Sequence, residues 1–213
     1  MRDRALIAAV RAGDVTAIER LLAEDPALAA TEEDGISAIR IALYHRRPAA
    51  LAALLAAAPP LDGFDHAALG WAEDLARDVA ADPELVARPA ADGFTALHLA
   101  AFLGGPDAVR VLLAAGAAAD APGPRGLRPL HSAAAARDAA SVRLLLGAGA
   151  DPDARQEGGF TALHAAAHHD DTATAEALLQ AGADPALRTD TGADAAGLAR
   201  AAGATAVLAL LGG

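Results

Sequence analysis

The chain has 213 residues, a net charge of −11 and no cysteine, which excludes disulfides, thiolate metal sites and cysteine nucleophiles. Its acidic balance, without any run of Lys or Arg, argues against nucleic acid or an anionic membrane as partner. Hydrophobic residues make up 54% of the chain but aromatics only 3%, so alanine and leucine carry the apolar content; both favour helices, and the shortage of β-branched and aromatic residues argues against a sheet.

The opening stretch, MRDRALIAAVRAGDVTAIERLL, is charged at Arg2, Asp3, Arg4, Arg11 and Asp14 and contains no apolar core of secretory length. No later segment approaches about eighteen uninterrupted apolar residues, the length a membrane-spanning helix needs. A soluble, cytosolic protein is the expectation. Periodicity predicts a first helix pair over Ala5 to Ala12 and Val15 to Glu24, turning at Gly13 and Asp14 and serving as a polar cap. A second pair is expected over Ile36 to Arg46 and Pro48 to Ala58. A third, shortened pair over Phe64 to Leu69 and Ala72 to Ala81 carries no recognisable signature.

Self-similarity then becomes explicit. DGFTALHLAAFLGGPDAVRVLLAAGA from Asp92, RGLRPLHSAAAARDAASVRLLLGAGA from Arg125 and GGFTALHAAAHHDDTATAEALLQAGA from Gly158 align with one another. Gly93, Gly126, Gly159 and Gly192 stand 33 residues apart, and His98, His131 and His164 keep the same spacing. Leu97, Ala100 and Ala101, like Leu130, Ala133 and Ala134, follow the i, i+3, i+4 pattern, giving each first helix a buried face of small residues. Second helices centred on Leu112 and Leu145 run up to Gly116 and Gly149, glycines suited to a left-handed closing residue. A last pair spans Gly192 to Gly213, with Gly197 where the earlier units carry histidine.

TALHLA, RPLHSA and TALHAA make the chain resemble the ankyrin-repeat family. The resemblance is strong from Asp92 to Pro185 and weaker before it, where DGISAIRIA stands in for DGFTALHLA. It implies an all-α ankyrin-repeat solenoid of about seven helix-turn-helix units with degenerate terminal caps. The expected units cover 1–33, 34–61, 62–91, 92–124, 125–157, 158–190 and 191–213 of a single repeat domain. In that family the signature Thr and His bond reciprocally and close the turn, so Arg128, at the Thr position of the fifth unit, should lack that bond. The stand-alone, alanine-rich character looks bacterial.

Candidate chemistry is sparse. His98, His131 and His164 lie inside the structural signature and are expected at helix starts. HHDD at His168 to Asp171 brings metal-ligand types together, but neighbouring residues on a helix point about 100° apart, so His168 and His169 do not readily face one ion. No G-x-S-x-G, phosphate loop, H-E-x-x-H or dinucleotide fingerprint is present, so neither catalysis nor a cofactor is expected.

Binding surfaces are a different matter. With Leu97 at the centre of the buried stripe, Phe102 falls about 140° away. That register reads Tyr44, Phe102, Ala135 and His168, and the next reads His45, Leu103, Ala136 and His169. The residue after each turn glycine makes another row, Ile36, Phe94, Leu127 and Phe160. The family resemblance implies that both rows face a partner from the concave side, with Trp71 near the edge and Arg46, Arg47, Arg125 and Arg137 at the rim. The expected function is binding of a protein partner by a chain that is monomeric when free, in the manner of an inhibitor or immunity-type regulator of an enzyme. The alternative is a metal- or small-ligand-binding accessory protein using His45, His168 and His169.

Overall fold

In the computed structural model, which describes residues 1–212, fourteen α-helices form seven antiparallel pairs. They are α1 (Arg2–Ala12) with α2 (Val15–Glu24), α3 (Ala38–Tyr44) with α4 (Pro48–Ala56), α5 (Gly63–Leu69) with α6 (Ala72–Ala81), and α7 (Ala96–Leu99) with α8 (Pro106–Ala114). There follow α9 (Pro129–Ala136) with α10 (Ala139–Gly147), α11 (Ala162–His168) with α12 (Thr172–Gln180), and α13 (Ala195–Ala202) with α14 (Thr205–Leu210). Helix α7 continues through Gly104 as a wider π-type turn, in which the Gly105 N–H donates to the Ala100 carbonyl at 2.8 Å.

The first helices stack α1, α3, α5, α7, α9, α11, α13, and behind them α2 packs on α4, and α6, α8, α10, α12 and α14 pack in series, with little contact between α4 and α6. Small side chains permit this. Ala67, Ala96, Ala100, Ala133, Ala166 and Ala199 are fully buried between adjoining units, each beside a buried leucine such as Leu97, Leu130 or Leu163. The buried apolar residues fall into two groups, one from Leu6 to Leu54 and a larger one from Phe64 to Val207; half-buried Leu43 packs on both.

Between pairs, the chain makes a short hairpin finger closed by a backbone bond. Ala90 N–H to Phe94 C=O, Gly123 to Leu127, Gln156 to Phe160 and Thr189 to Ala193 repeat at the 33-residue period, at 2.8 to 2.9 Å. The finger of the second unit is regular enough to form two strands, β1 (Glu32–Glu33) and β2 (Ile36–Ser37), with Glu32 opposite Ser37. Two expectations therefore need correction. The chain does contain a small antiparallel ribbon, and Ile36 lies on it rather than beginning a helix, because Ser37 is the N-cap whose hydroxyl accepts from the Arg40 N–H.

The third unit is the exception. Residues 57–62 alone join α4 to α5, whereas residues 115–128 join α8 to α9, so the third unit has no room for a finger. The fingers of the second and fourth units meet instead: a Cβ on Gly35 would lie 2.7 Å from that of Ala91. On the helix side the backbones also close up. A Cβ on Gly104 would come 2.0 Å from the Ala67 carbonyl oxygen, and one on Gly70 would come 2.2 Å from that of Gly104.

The signature positions explain how neighbouring units are locked together. In the fourth and sixth units His98 and His164 present Nδ1 to the N–H and hydroxyl of Thr95 and Thr161. The opposite ring nitrogen reaches the next unit, from His98 to the Leu127 carbonyl at 3.2 Å and from His131 to that of Ala154 at 3.0 Å. At Arg128 the expected loss is only partial. The hydroxyl bond is gone, but the Arg128 backbone N–H still donates to His131 Nδ1 at 3.0 Å, and its guanidinium donates to the Asp120 carbonyl at 2.7 Å.

In the second and third units the Thr and His positions are Ser37 and Arg40, then Asp62 and Asp65. Asp62 and Asp65 form a reciprocal cap at the start of α5. Arg40, 1% exposed, donates from Nε to Asp65 at 3.0 Å, so a buried ion pair does here what the histidine does elsewhere. Burial, with the charge of Asp62 beside it, pushes the Asp65 carboxyl up, against the opposing pull of Ser37 and Arg40.

Candidate functional site

One apolar pocket of about 410 Å³ opens on the face made by the first helices and the fingers. Its floor is laid by the stacked signatures: Leu99, His98, His131 and Ser132 stand on α7 or α9, all at least nine-tenths buried. Leu127 and half-buried Phe94 enter from the fingers, and Phe102, Ala135 and Ala165 from the exposed sides of α7, α9 and α11. Phe102 rides on the π-type turn and is 38% exposed, consistent with a register turned away from Leu97.

Tyr44 closes one end. The missing third finger lets this residue, at the end of α3, reach the fourth unit, where its hydroxyl donates to Asp92 Oδ2 at 2.7 Å. Burial first, then the Asp92 carboxylate, pushes the phenol up, so it remains a donor at neutral pH. Asp92 Oδ1 meanwhile accepts from the Phe94 N–H at 3.2 Å, which fixes the finger bearing that ring.

The histidines beneath the pocket are not proton-transfer groups. Burial holds His98 down to about 4, with the Leu127 carbonyl pulling the other way, and burial likewise lowers His131 and His164. Their rings are neutral at physiological pH and both nitrogens of His98 and His131 are occupied in holding the fold. What the site offers chemically is an apolar cavity in which the polar groups of Tyr44, His98 and His131 are already bonded within the fold, beside the Ser132 hydroxyl and the Gln156 amide.

Of the residues singled out from sequence, Tyr44, Phe94, Phe102 and Leu127 come together in this pocket. The others scatter. Half-buried Ile36 packs on the amino-terminal core, and half-buried Leu103 packs on the larger one. Phe160 lies one unit along, its ring 5.7 Å from that of His164. Exposed Arg125 pairs with Glu157 at 3.2 Å. Trp71 stacks on His66 with ring centres 5.9 Å apart, at the α5–α6 turn, and is not part of the pocket lining.

The three histidines of the metal alternative are not brought together. His45 follows α3 in the second unit, while His168 and His169 end α11 in the sixth, their rings edge to face at 5.1 Å. The carboxylates of HHDD already serve the fold, since Asp170 accepts from the Val207 N–H at 2.8 Å and Asp171 caps α12 through the Thr174 N–H. Among the described residues no group of three His, Asp or Glu is placed to hold a metal ion.

Ser132, Leu99, Gln156 and Ala165 were not singled out. Ser132 and Leu99 read as members of buried stripes, and Gln156 stands where the other fingers carry Ala90, Gly123 and Thr189, none with its amide; only the stacking of three units shows that they share one cavity.

A solenoid of helix pairs, bearing fingers on one edge and an apolar pocket along its inner face, defines a repeat protein built to present a surface. The family model for ankyrin repeats (3 copies) matches the chain three times, at residues 66–156, 97–189 and 130–211, and the chain belongs to the ankyrin-repeat family. None of the curated proteins compared with it matches. Ankyrin repeats are in general modules for interaction between proteins and a typically non-catalytic fold. Among the described residues no helix is long and apolar enough to cross a membrane.

Proposed function

We propose that the protein binds a single protein partner through the face that carries the Tyr44, Phe94, Phe102 and Leu127 pocket, and that it does so without catalysing a reaction on it. The supporting observation is the convergence of three of the chain's six aromatic residues on one pocket. Aromatic anchors beside a preformed apolar cavity are what concentrates affinity in an interface. Because the pocket is framed by stacked helices, little ordering entropy is lost on binding. An inhibitor or immunity-type regulator of an enzyme fits such a rigid, preformed binder, working in the cytosol.

The decisive experiment compares wild type with Phe102→Arg. Phe102 is exposed, so the variant should retain its helical content and cooperative melting. Mass spectrometry of proteins co-purifying with each should show one partner retained by wild type and absent from the variant. An identical set of proteins on both would remove this pocket from the binding surface.

A further inference from the structure

The last turn of each first helix ends in a left-handed residue, and in most units its identity has an evident cause. Gly13, Gly70, Gly105 and Gly203 take a positive φ of 70 to 84°, which glycine adopts without a side-chain clash. Asp170 takes it at φ 52° and is repaid by the bond it accepts from the Val207 N–H. Arg46 at φ 52° and Arg137 at φ 60° are the remaining pair, and neither guanidinium makes a hydrogen bond or ion pair within the protein. Both side chains belong to exposed residues.

Their placement relative to the pocket is the same. Arg46 comes two residues after Tyr44 on α3, and Arg137 two residues after Ala135 on α9, where Tyr44 and Ala135 both line the cavity. The residue closing each of the two intervening helices is glycine, Gly70 and Gly105. The other basic groups of that surface are occupied: Arg47 donates to the Arg11 carbonyl at 2.9 Å, Arg128 to that of Asp120, and Arg125 to Glu157. In a protein of net charge −11, two guanidinium groups without a partner in the protein, held in disfavoured backbone at the end of pocket-lining helices, stand free to take an anion.

We infer that the partner enters the pocket with a bulky apolar side chain flanked by carboxylates, which Arg46 and Arg137 bind. This rests on the pocket being the binding surface and adds the chemistry of what it accepts. Arginine suits the task because its planar fork takes a carboxylate with two parallel bonds, and it stays charged at any physiological pH. The Asp92 carboxylate, which bonds two lining residues without lining the pocket itself, does not repel such a segment strongly, since it is engaged by the Tyr44 hydroxyl and the Phe94 N–H.

The test is selection of a random peptide display library on wild type and, separately, on an Arg46→Glu/Arg137→Glu variant, followed by affinity measurement of the enriched synthetic peptides. Wild type should enrich a Trp, Phe or Leu with Asp or Glu nearby, and those peptides should bind the variant at least tenfold more weakly. The variant should instead enrich Lys and Arg around the same apolar residue. An Arg46→Gly/Arg137→Gly variant keeps the fold in question separate, because glycine relieves the backbone: it should melt no lower than wild type and still lose the acidic peptides.

Peptides without acidic bias, no enrichment at all, or equal binding to wild type and both variants would overturn the inference. Equal binding to those variants together with loss on Phe102→Arg would sink the arginine role while leaving the pocket as the binding surface. Equal binding to Phe102→Arg as well would sink both. Concentration-dependent self-association by sedimentation that the Glu variant abolishes would make the occupant a second copy of this acidic chain, which also overturns it.

Discussion

The hydroxyl of Tyr44 donates to Asp92 across an entire intervening helix pair, tying the second unit directly to the finger of the fourth at 2.7 Å. Removing the hydroxyl with Tyr44→Phe should cost about 1 kcal/mol, the net value of one hydrogen bond. Asp92→Ala loses the Phe94 N–H contact as well and should cost more. A double-mutant cycle in urea should then give a coupling energy of about 0.5 kcal/mol or larger between the two side chains, whereas additive effects would show that the bond contributes nothing.

Arg40 and Asp65 are both almost completely buried, and their removal should be strongly asymmetric. Asp65→Ala leaves a guanidinium inside the protein and should destabilise by about 3 to 5 kcal/mol. Replacing both, as Arg40→Met with Asp65→Leu, should recover most of that loss, because neither charge then has to be kept out of water. Urea unfolding of the two variants checks the order; a double variant as weak as the single one would mean the pair itself supplies the stability.

Acid should weaken the stack well before the carboxylates titrate. His98 is held near 4 in the folded protein against an ordinary value of 6.5, so the unfolded chain binds the extra proton throughout that interval. Stability is therefore complete above about pH 6.5 and falls as pH drops from there to about 4, by about 3 kcal/mol for His98 alone. His131 and His164, lowered for the same reason, act in the same direction. Urea midpoints between pH 7.5 and 4.5 should decline steadily, and the slope should be shallower in a His98→Asn variant.

Phe94 and Phe102 should part company under mutation. Phe102→Arg is on the exposed side of the π-type turn and should change stability by no more than about 0.5 kcal/mol. Phe94→Arg disturbs a ring that packs on the larger core and lies 5.7 Å from that of His98, and should cost about 1 to 3 kcal/mol. Thermal melts distinguish them directly.

Gly104→Ala would drive a methyl group into the Ala67 carbonyl, a backbone atom that has no rotamer to escape through. A loss of about 2 kcal/mol or more is expected, and it should appear in the unfolding of the third and fourth units first, by hydrogen exchange in α5 and α7.

Repeat spacing made the seven pairs legible in the sequence, since Leu97, His98 and Ala100 recur with fixed roles wherever units stack alike. The rows were legible for the same reason: helical phase turns Tyr44 and Phe102 from the buried stripe, and Phe94 and Leu127 each follow a turn glycine. What periodicity could not show is where the period breaks. The third unit keeps a Thr-like and a His-like position in Asp62 and Asp65, yet their identities gave no signature, and the shortage of residues between Ala56 and Gly63 looked like mere shortening. Only the packed stack shows that Tyr44 reaches Asp92, that Arg40 replaces a histidine, and that Ser132 and Gln156 share a cavity with Phe102. Conversely, HHDD drew notice for its composition, although the chain spends Asp170 and Asp171 on holding helix ends.

The omitted finger gives the solenoid two edges of unequal count. Every unit contributes a helix pair, but along the fingers the second unit adjoins the fourth, with Gly35 against Ala91. The closed end of the pocket lies at that junction, where Tyr44 reaches Asp92. The length of a single connection, residues 57–62, thus works as an address: lengthening it to the thirteen or fourteen residues of its counterparts should part Tyr44 from Asp92 and open the pocket's closed end.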